Sequence, residues 1–311
     1  MRAFIFPGQG SQAVGMGKAL ADASPVARAV FQEVDEALGQ HLSRLMFEGR
    51  PEDLQLTENA QPAIMANAIA TLRVLEQDGG IRLGEKADYV AGHSLGEYSA
   101  LCAAGALDLA TTARLLKHRG RAMQAAVPVG QGAMAALLGA DLVTAQKIAD
   151  AAAEGEVCTV ANDNDPSQVV ISGAKDAIDR AIDIAKDYGA KRAIALPVSA
   201  PFHCALMQPA ADAMEQLLAA VRIAAPIVPV VANVNAAPVS DPDTIRRLLV
   251  EQVTGMVRWR ESVLAMRTSG VEHFVEFGGK VLAPMVKRIA PNAEAVSIVT
   301  MDDIEALAKA L

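Results

Sequence analysis

The segment Val90-Ala91-Gly92-His93-Ser94-Leu95-Gly96-Glu97 sets a serine between two glycines, Gly-x-Ser-x-Gly, after a short apolar run and before a helical pattern. That context suits a serine nucleophile in acyl chemistry. The hydroxyl has to project from a sharp strand-to-helix turn, where a Cβ at the flanking positions would collide. The following helix aims its N-terminus at the place where negative charge develops on a substrate oxygen, and the backbone N–H of Leu95 is the natural donor there. A serine of this kind needs a base, and there are five histidines. His41 follows an amphipathic stretch and reads as surface. His93 shares the serine's turn, so its ring should point away from the hydroxyl. His118 sits in a helix beside Lys117 and Arg119, and His273 precedes the apolar run Phe274–Phe277. His203 closes Val198-Ser199-Ala200-Pro201-Phe202-His203, at a predicted strand end followed by a helix. Parallel α/β sheets gather catalytic groups at such ends. His203 is the base favoured by position, with a purely structural histidine as the competing reading. Cys204 next to it would face elsewhere and is not read as a nucleophile.

The elements that must hold these residues follow from hydrophobic spacing. The opening segment Met1–Pro7 reads as a short buried strand, followed by a Gly-rich turn and helical patterns over 25–46 and 61–77. A strand over 88–92 leads into the serine turn, with helices over 95–104 and 109–126 behind it. Strands separated by helices predict a mostly parallel sheet covered on both faces. Between about 132 and 197 the order changes to β-α-β-β-α-β: strand 133–138, helix 142–153, strands 157–161 and 168–172 around the polar turn Asn162-Asp163-Asn164-Asp165-Pro166, helix 176–188 and strand 191–198. The larger pattern then resumes, with strands at 228–233 and 272–277 and helices at 241–253, 258–268 and 280–289. The predicted fold class is α/β. An α/β-hydrolase-like large domain with a parallel sheet spans 1–128 and 198–311, and a ferredoxin-like small subdomain spans 129–197, with hinges near Gly130-Gln131-Gly132 and Pro197.

Composition narrows the function classes. The chain has 311 residues, 52% hydrophobic and 21% charged, ample for a large core. A net charge of −8 argues against general nucleic-acid binding, which wants a basic face. Charged residues interrupt every apolar run before it could span a bilayer. Met1-Arg2-Ala3-Phe4-Ile5-Phe6-Pro7 stops too early for a signal peptide. Three cysteines without CxxC spacing support neither a disulfide framework nor a zinc site, so a reduced, cytoplasmic protein is expected.

Several segments, taken together, carry a resemblance. Gly92-His93-Ser94-Leu95-Gly96-Glu97 closely resembles the signature of malonyl-CoA:acyl carrier protein transacylases and polyketide synthase acyltransferase domains. Phe6-Pro7-Gly8-Gln9-Gly10-Ser11-Gln12, Arg119-Gly120-x-x-Met123-Gln124, Asn162-x-Asn164-x-Pro166 with its following Gln168–Gly173, and Pro201-Phe202-His203 are similar to further motifs of that family, in the family's order. The resemblance implies that Ser94 takes the acyl group as an ester and His203 activates it. It implies that the backbone carbonyl of Gln252 orients His203 in place of a triad carboxylate, and that Gln9 and Leu95 supply oxyanion-hole N–H groups. Arg119 would hold the free carboxylate of malonyl, and the turn carrying Asn162 and Asn164 would border the acyl cleft. Phe202 resembles the residue by which malonyl-selective relatives limit room for a branched α-carbon. Physical chemistry supports the guanidinium role independently, because a planar Arg fork matches a carboxylate bidentately and a buried Arg would reject an uncharged acyl group. From the residues alone, Arg119 reads as a helix-surface charge beside Lys117 and Arg121. The segment Glu276-Phe277-Gly278-Gly279-Lys280 looks one residue short of the family's turn, which touches local loop geometry only.

The implied partners are malonyl-CoA and acyl carrier protein, with no metal or tightly held cofactor, no nucleic acid and no membrane. Nothing demands more than a monomer. A serine esterase or thioesterase shares the elbow but wants an acid and then a histidine after the serine. A dinucleotide site at Gly8-x-Gly10-x-x-Ala13 fails because Glu33 and Asp35 lie in a helix instead of at a strand end. A non-catalytic carrier-binding module leaves the Ser94 and His203 motifs unexplained. Because carrier proteins are acidic and the chain is itself negative, docking calls for a local basic patch. Lys186, Lys191 and Arg192, or Lys280, Lys287 and Arg288, are the candidates, with solvated helix charges as the competing reading.

Overall fold

The computed structural model describes residues 1–311. Ten strands form two separate sheets. They are β1 (Arg2–Phe6), β2 (Tyr89–Gly92), β3 (Gly132–Leu138), β4 (Cys158–Asp165), β5 (Gln168–Ala174), β6 (Arg192–Ala195), β7 (Val230–Val231), β8 (Pro238–Val239), β9 (His273–Phe277) and β10 (Glu294–Ile298). The large sheet runs β10-β9-β1-β2-β7-β8, parallel throughout except that β8 turns back antiparallel on β7. β1 is buried on both faces, which is why Ala3-Phe4-Ile5-Phe6 reads as an unbroken apolar run. Phe4 and Phe6 meet Phe277 in one core, while Ala3 and Ile5 join Trp259 in the other.

The small sheet is antiparallel, in the order β4-β5-β3-β6, and helices Leu142–Ala153 and Lys175–Ile184 cover one face through a core of their own. The chain order within it is β-α-β-β-α-β, as the pattern predicts. One boundary is different. The expected polar turn over Asn162–Pro166 is strand as far as Asp165, so only Pro166 and Ser167 turn. The cause is tertiary. The Val257 N–H donates to Ala161 O at 2.8 Å and the Asp163 N–H to Val257 O at 3.0 Å. The fully buried carboxylates of Asp163 and Asp165 pair with Arg260 and Arg288 at 2.9 and 2.7 Å. These contacts outweigh the turn preference of Asn and Asp.

Other differences have equally local causes. The expected helix over 25–46 is two helices, Pro25–Leu38 and Leu42–Glu48, because Gly39 at φ 57° ends the first in the left-handed region. β10 and a final helix, Met301–Ala310, extend the large unit beyond the last element expected from the sequence. Thr300 and Asp303 form a reciprocal capping box at that helix's start. At the Gly278-Gly279 turn, the buried Glu276 carboxylate accepts the N–H groups of Val281, Leu282 and Ala283, and so fixes the start of helix Leu282–Ile289. No helix is long and apolar enough to cross a membrane.

Candidate active site

Ser94 sits between β2 and helix Leu95–Ala103 with φ 53° and ψ −112°, a strained conformation for a residue with a side chain. The flanking glycines are required by space. A Cβ on Gly92 would lie 1.9 Å from Gly96 O, and one on Gly96 would lie 2.2 Å from Phe6 O. The elbow is clasped from β7's side: Asn233 accepts the Ser94 N–H on Oδ1 at 2.7 Å and donates from Nδ2 to Gly92 O at 2.7 Å.

The Ser94 hydroxyl lies 2.8 Å from His203 Nε2. His203 Nδ1 faces Gln252 O at 2.9 Å and Gly255 O at 3.1 Å. Both are acceptors, so Nδ1 carries the hydrogen and Nε2 presents its lone pair to the serine. Burial, with Arg119 nearby, pushes the imidazole down to about 3, so it is neutral at physiological pH and its Nε2 lone pair is free to accept a proton. His203 is not at a strand end, as the sequence suggested. β6, the strand before it, belongs to the small sheet and ends at Ala195, and His203 occupies a loop with φ 57°.

Arg119 is 1% exposed, not on the surface. Helix Leu109–Ala125 lies close against helix Thr57–Gln77, because Gly120 has no side chain: a Cβ there would come 2.6 Å from Glu58 Cα. This contact aims the guanidinium inward. Nη1 donates to Gln61 Oε1 at 2.9 Å, and Nη2 donates to Gln252 Oε1 at 2.7 Å and to Ser94 Oγ at 3.1 Å. Nε has no partner. Two neutral amides and a hydroxyl therefore hold a buried cation, which burial makes easier to deprotonate than an ordinary guanidinium.

Gln9, Gln61, His93, Ser94, Arg119, Asn162, Phe202 and His203 line one cleft of about 350 Å³. The backbone N–H groups of Gln9 and Leu95 make no hydrogen bond within the chain. The Asn162 Oδ1 is buried without a partner. His93 turns away from the hydroxyl, to Asn164 Oδ1 at 2.8 Å. Sequence reasoning missed Gln61 and Asn233, whose roles come from helix packing and from the neighbouring strand, with no local signal. Of the two basic clusters, Arg288 is engaged by Asp165, while Lys280 and Lys287 line a separate groove along β10.

With that geometry in view, residues 3–286 match the acyl transferase domain family. The chain belongs to that family. It is 47% identical over 297 residues to the malonyl CoA-acyl carrier protein transacylase of Escherichia coli K12, covering 95% of each chain. The acyl-carrier-protein-S-malonyltransferase of Bartonella henselae superposes with a TM-score of 0.97 at 52% identity, over 99% of this chain and 98% of that one. A malonyl-transacylase in complex with its type II PKS acyl-carrier protein superposes at 0.96 with 40% identity, over 100% and 99%.

Proposed function

We propose that this chain transfers malonyl from malonyl-CoA to the phosphopantetheine thiol of acyl carrier protein, supplying fatty acid synthesis. The observation that carries this reading is a buried guanidinium, free of any carboxylate partner, 3.1 Å from a nucleophile that is itself 2.8 Å from a neutral imidazole. The whole-chain likeness to malonyl CoA-acyl carrier protein transacylases, one of them solved with its carrier, supports the same substrate and partner.

In the first half-reaction Ser94 Oγ attacks the thioester carbon while its proton passes to His203 Nε2. The Gln252 and Gly255 carbonyls hold the imidazolium that forms. The Gln9 and Leu95 N–H groups receive the oxyanion; one such donor is worth roughly 10²–10³ in rate. Collapse breaks the C–S bond, coenzyme A leaves with the His203 proton, and malonyl remains as the Ser94 ester. In the second half-reaction the carrier's thiol gives its proton to His203 and attacks the ester, and Ser94 takes the proton back. Arg119 grips the malonyl carboxylate throughout. Phe202 narrows the room at the α-carbon, and Asn162 offers a polar contact in the same cleft. An esterase-type acid is not needed, because Nδ1 already meets two carbonyls.

We read the large unit, 1–128 and 198–311, as α/β-hydrolase-like, and 129–197 as an inserted ferredoxin-like subdomain whose Met134, Leu196 and Pro197 wall the cleft. All these residues come from a single chain, so a monomer suffices, and three free buried thiols suit the cytoplasm. Intact-mass measurement tests the reading. Malonyl-CoA should add one malonyl group, lost in Ser94→Ala and discharged by holo carrier protein far faster than by water. Equal discharge by water, or equal labelling by acetyl-CoA, would overturn it.

A further inference from the structure

Glu97 has no part in the chemistry above, yet its carboxyl is 2% exposed in the first turn after the nucleophile. Its Oε2 accepts the Asn233 N–H at 3.0 Å and the Gln252 Nε2–H at 2.9 Å, and neither donor is charged. The other end of the same Gln252 amide accepts from Arg119 Nη2 at 2.7 Å. One amide thus bridges a carboxylate and a guanidinium. An ionised carboxylate only accepts and a guanidinium only donates, so the pair permits a single amide orientation.

Resting on the malonyl reading, we propose that Glu97 is the resident counter-charge of Arg119, relayed through the Gln252 amide, and that it takes up a solvent proton when the substrate's free carboxylate docks on the guanidinium. Two carboxylates then share one cation in a dry site, and the repulsion between them raises the proton affinity of one. The substrate carboxyl gains direct contact with Arg119, whereas Glu97 has only the relayed contact, so Glu97 takes the proton. Burial already pushes its carboxyl up to about 7 against the pull of Arg119. Among its other neighbours, Tyr98 on the same helix is pushed up to about 12 and His203 down to about 3, so neither competes for that proton. Asn233 and Gln252, on the remaining elements, do not titrate. The consequence, above the pH at which Glu97 ionises, is charge balance: Arg119 has one anionic partner before malonyl binds and one after. Glu97 touches no reacting atom and acts as a positioning residue.

Calorimetry on Ser94→Ala protein, which cannot be acylated, reads the proton directly. Malonyl-CoA and acetyl-CoA are titrated in two buffers of different ionisation enthalpy, at about pH 8, one unit above the Glu97 value. Malonyl-CoA should take up about 0.4 of a proton more than acetyl-CoA if docking shifts Glu97 by one unit, and about 0.8 if by two. Tighter malonyl binding without excess uptake would overturn the proposal and leave the function intact. No preference for malonyl would overturn both. Kinetics give a second readout. The wild-type KM for malonyl-CoA should rise about five- to tenfold between pH 6 and 8 for a shift of one to two units, as Glu97 ionisation comes to oppose binding. In Glu97→Gln the rise should vanish, and a profile like the wild type would refute the proposal. Should that variant not fold, the calorimetry still decides.

Discussion

Replacing Arg119 with alanine should collapse the preference for malonyl over acetyl. The guanidinium is 1% exposed, and its Nε has no partner. A malonyl carboxylate on Ser94 would gain two charge-assisted hydrogen bonds from it, each worth about 1.5–3 kcal/mol. Their loss totals about 3–6 kcal/mol, a fall of about 10²–10⁴ in kcat/KM for malonyl-CoA. Acetyl-CoA should stay nearly level, because an acetyl ester has no carboxylate for the guanidinium to hold. Elsewhere Gln61 Oε1 and Gln252 Oε1 each lose a donor and Glu97 loses its relayed counter-charge; both substrates meet the same variant, so the malonyl-to-acetyl ratio carries the test. Arg119→Lys should fall between, since an ammonium keeps the charge but not the fork. Single-turnover acylation followed by intact mass measures both substrates on one scale. If Arg119→Ala keeps its malonyl-to-acetyl ratio within about threefold of wild type, under ~1 kcal/mol, the assignment of Arg119 is wrong.

Asn233→Ala removes the clasp on the elbow, stranding the Ser94 N–H and Gly92 O. Urea unfolding should show a loss of about 1–3 kcal/mol for each stranded group, with slower acylation as the strained serine relaxes. Gly92→Ala places a Cβ 1.9 Å from Gly96 O and should yield little folded protein, whereas Gly10→Ala meets nothing within 4 Å and is strained only by its φ of 104°; expression and thermal melting separate the two. pH dependence supplies a signed test. His203 is held at about 3 against 6.5 when free, so the unfolded chain binds that proton first. Its contribution is full above 6.5 and lost as pH falls, at about 1.4 kcal/mol per unit. Glu97, held up at about 7 against 4.5, contributes most below 4.5 and fades as pH rises through 7. Between 4.5 and 6.5 the two slopes oppose. Over that window, denaturation of His203→Ala should leave stability falling as pH rises, while wild type stays nearly flat.

The serine elbow was legible because its constraint is local. Gly92 and Gly96 are where a Cβ cannot fit, and that requirement shows directly in Gly-x-Ser-x-Gly between a strand and a helix. The buried strand β1, the alternation around the large sheet and the β-α-β-β-α-β order of the small one were equally visible, since each rests on periodicity within a short window. Asn162–Asp165 could not be read this way. Alone they look like a turn, and only Arg260, Arg288 and the Val257 backbone, about a hundred residues later in the chain, turn them into a strand. Arg119 is the same case in the site. Its sequence neighbours suggest an exposed charge, and residues alone favoured that reading until the family resemblance reversed it. Burial follows from Gly120, which brings two helices together and leaves the guanidinium facing Gln61, Gln252 and Ser94. His203 and Ser94 are 109 positions apart, and Glu97 meets Gln252 across 155. Local sequence specifies which side chains are present and how the backbone bends beneath them. Which of them share a dry space, and so which charges and protons they exchange, is decided only when distant segments pack.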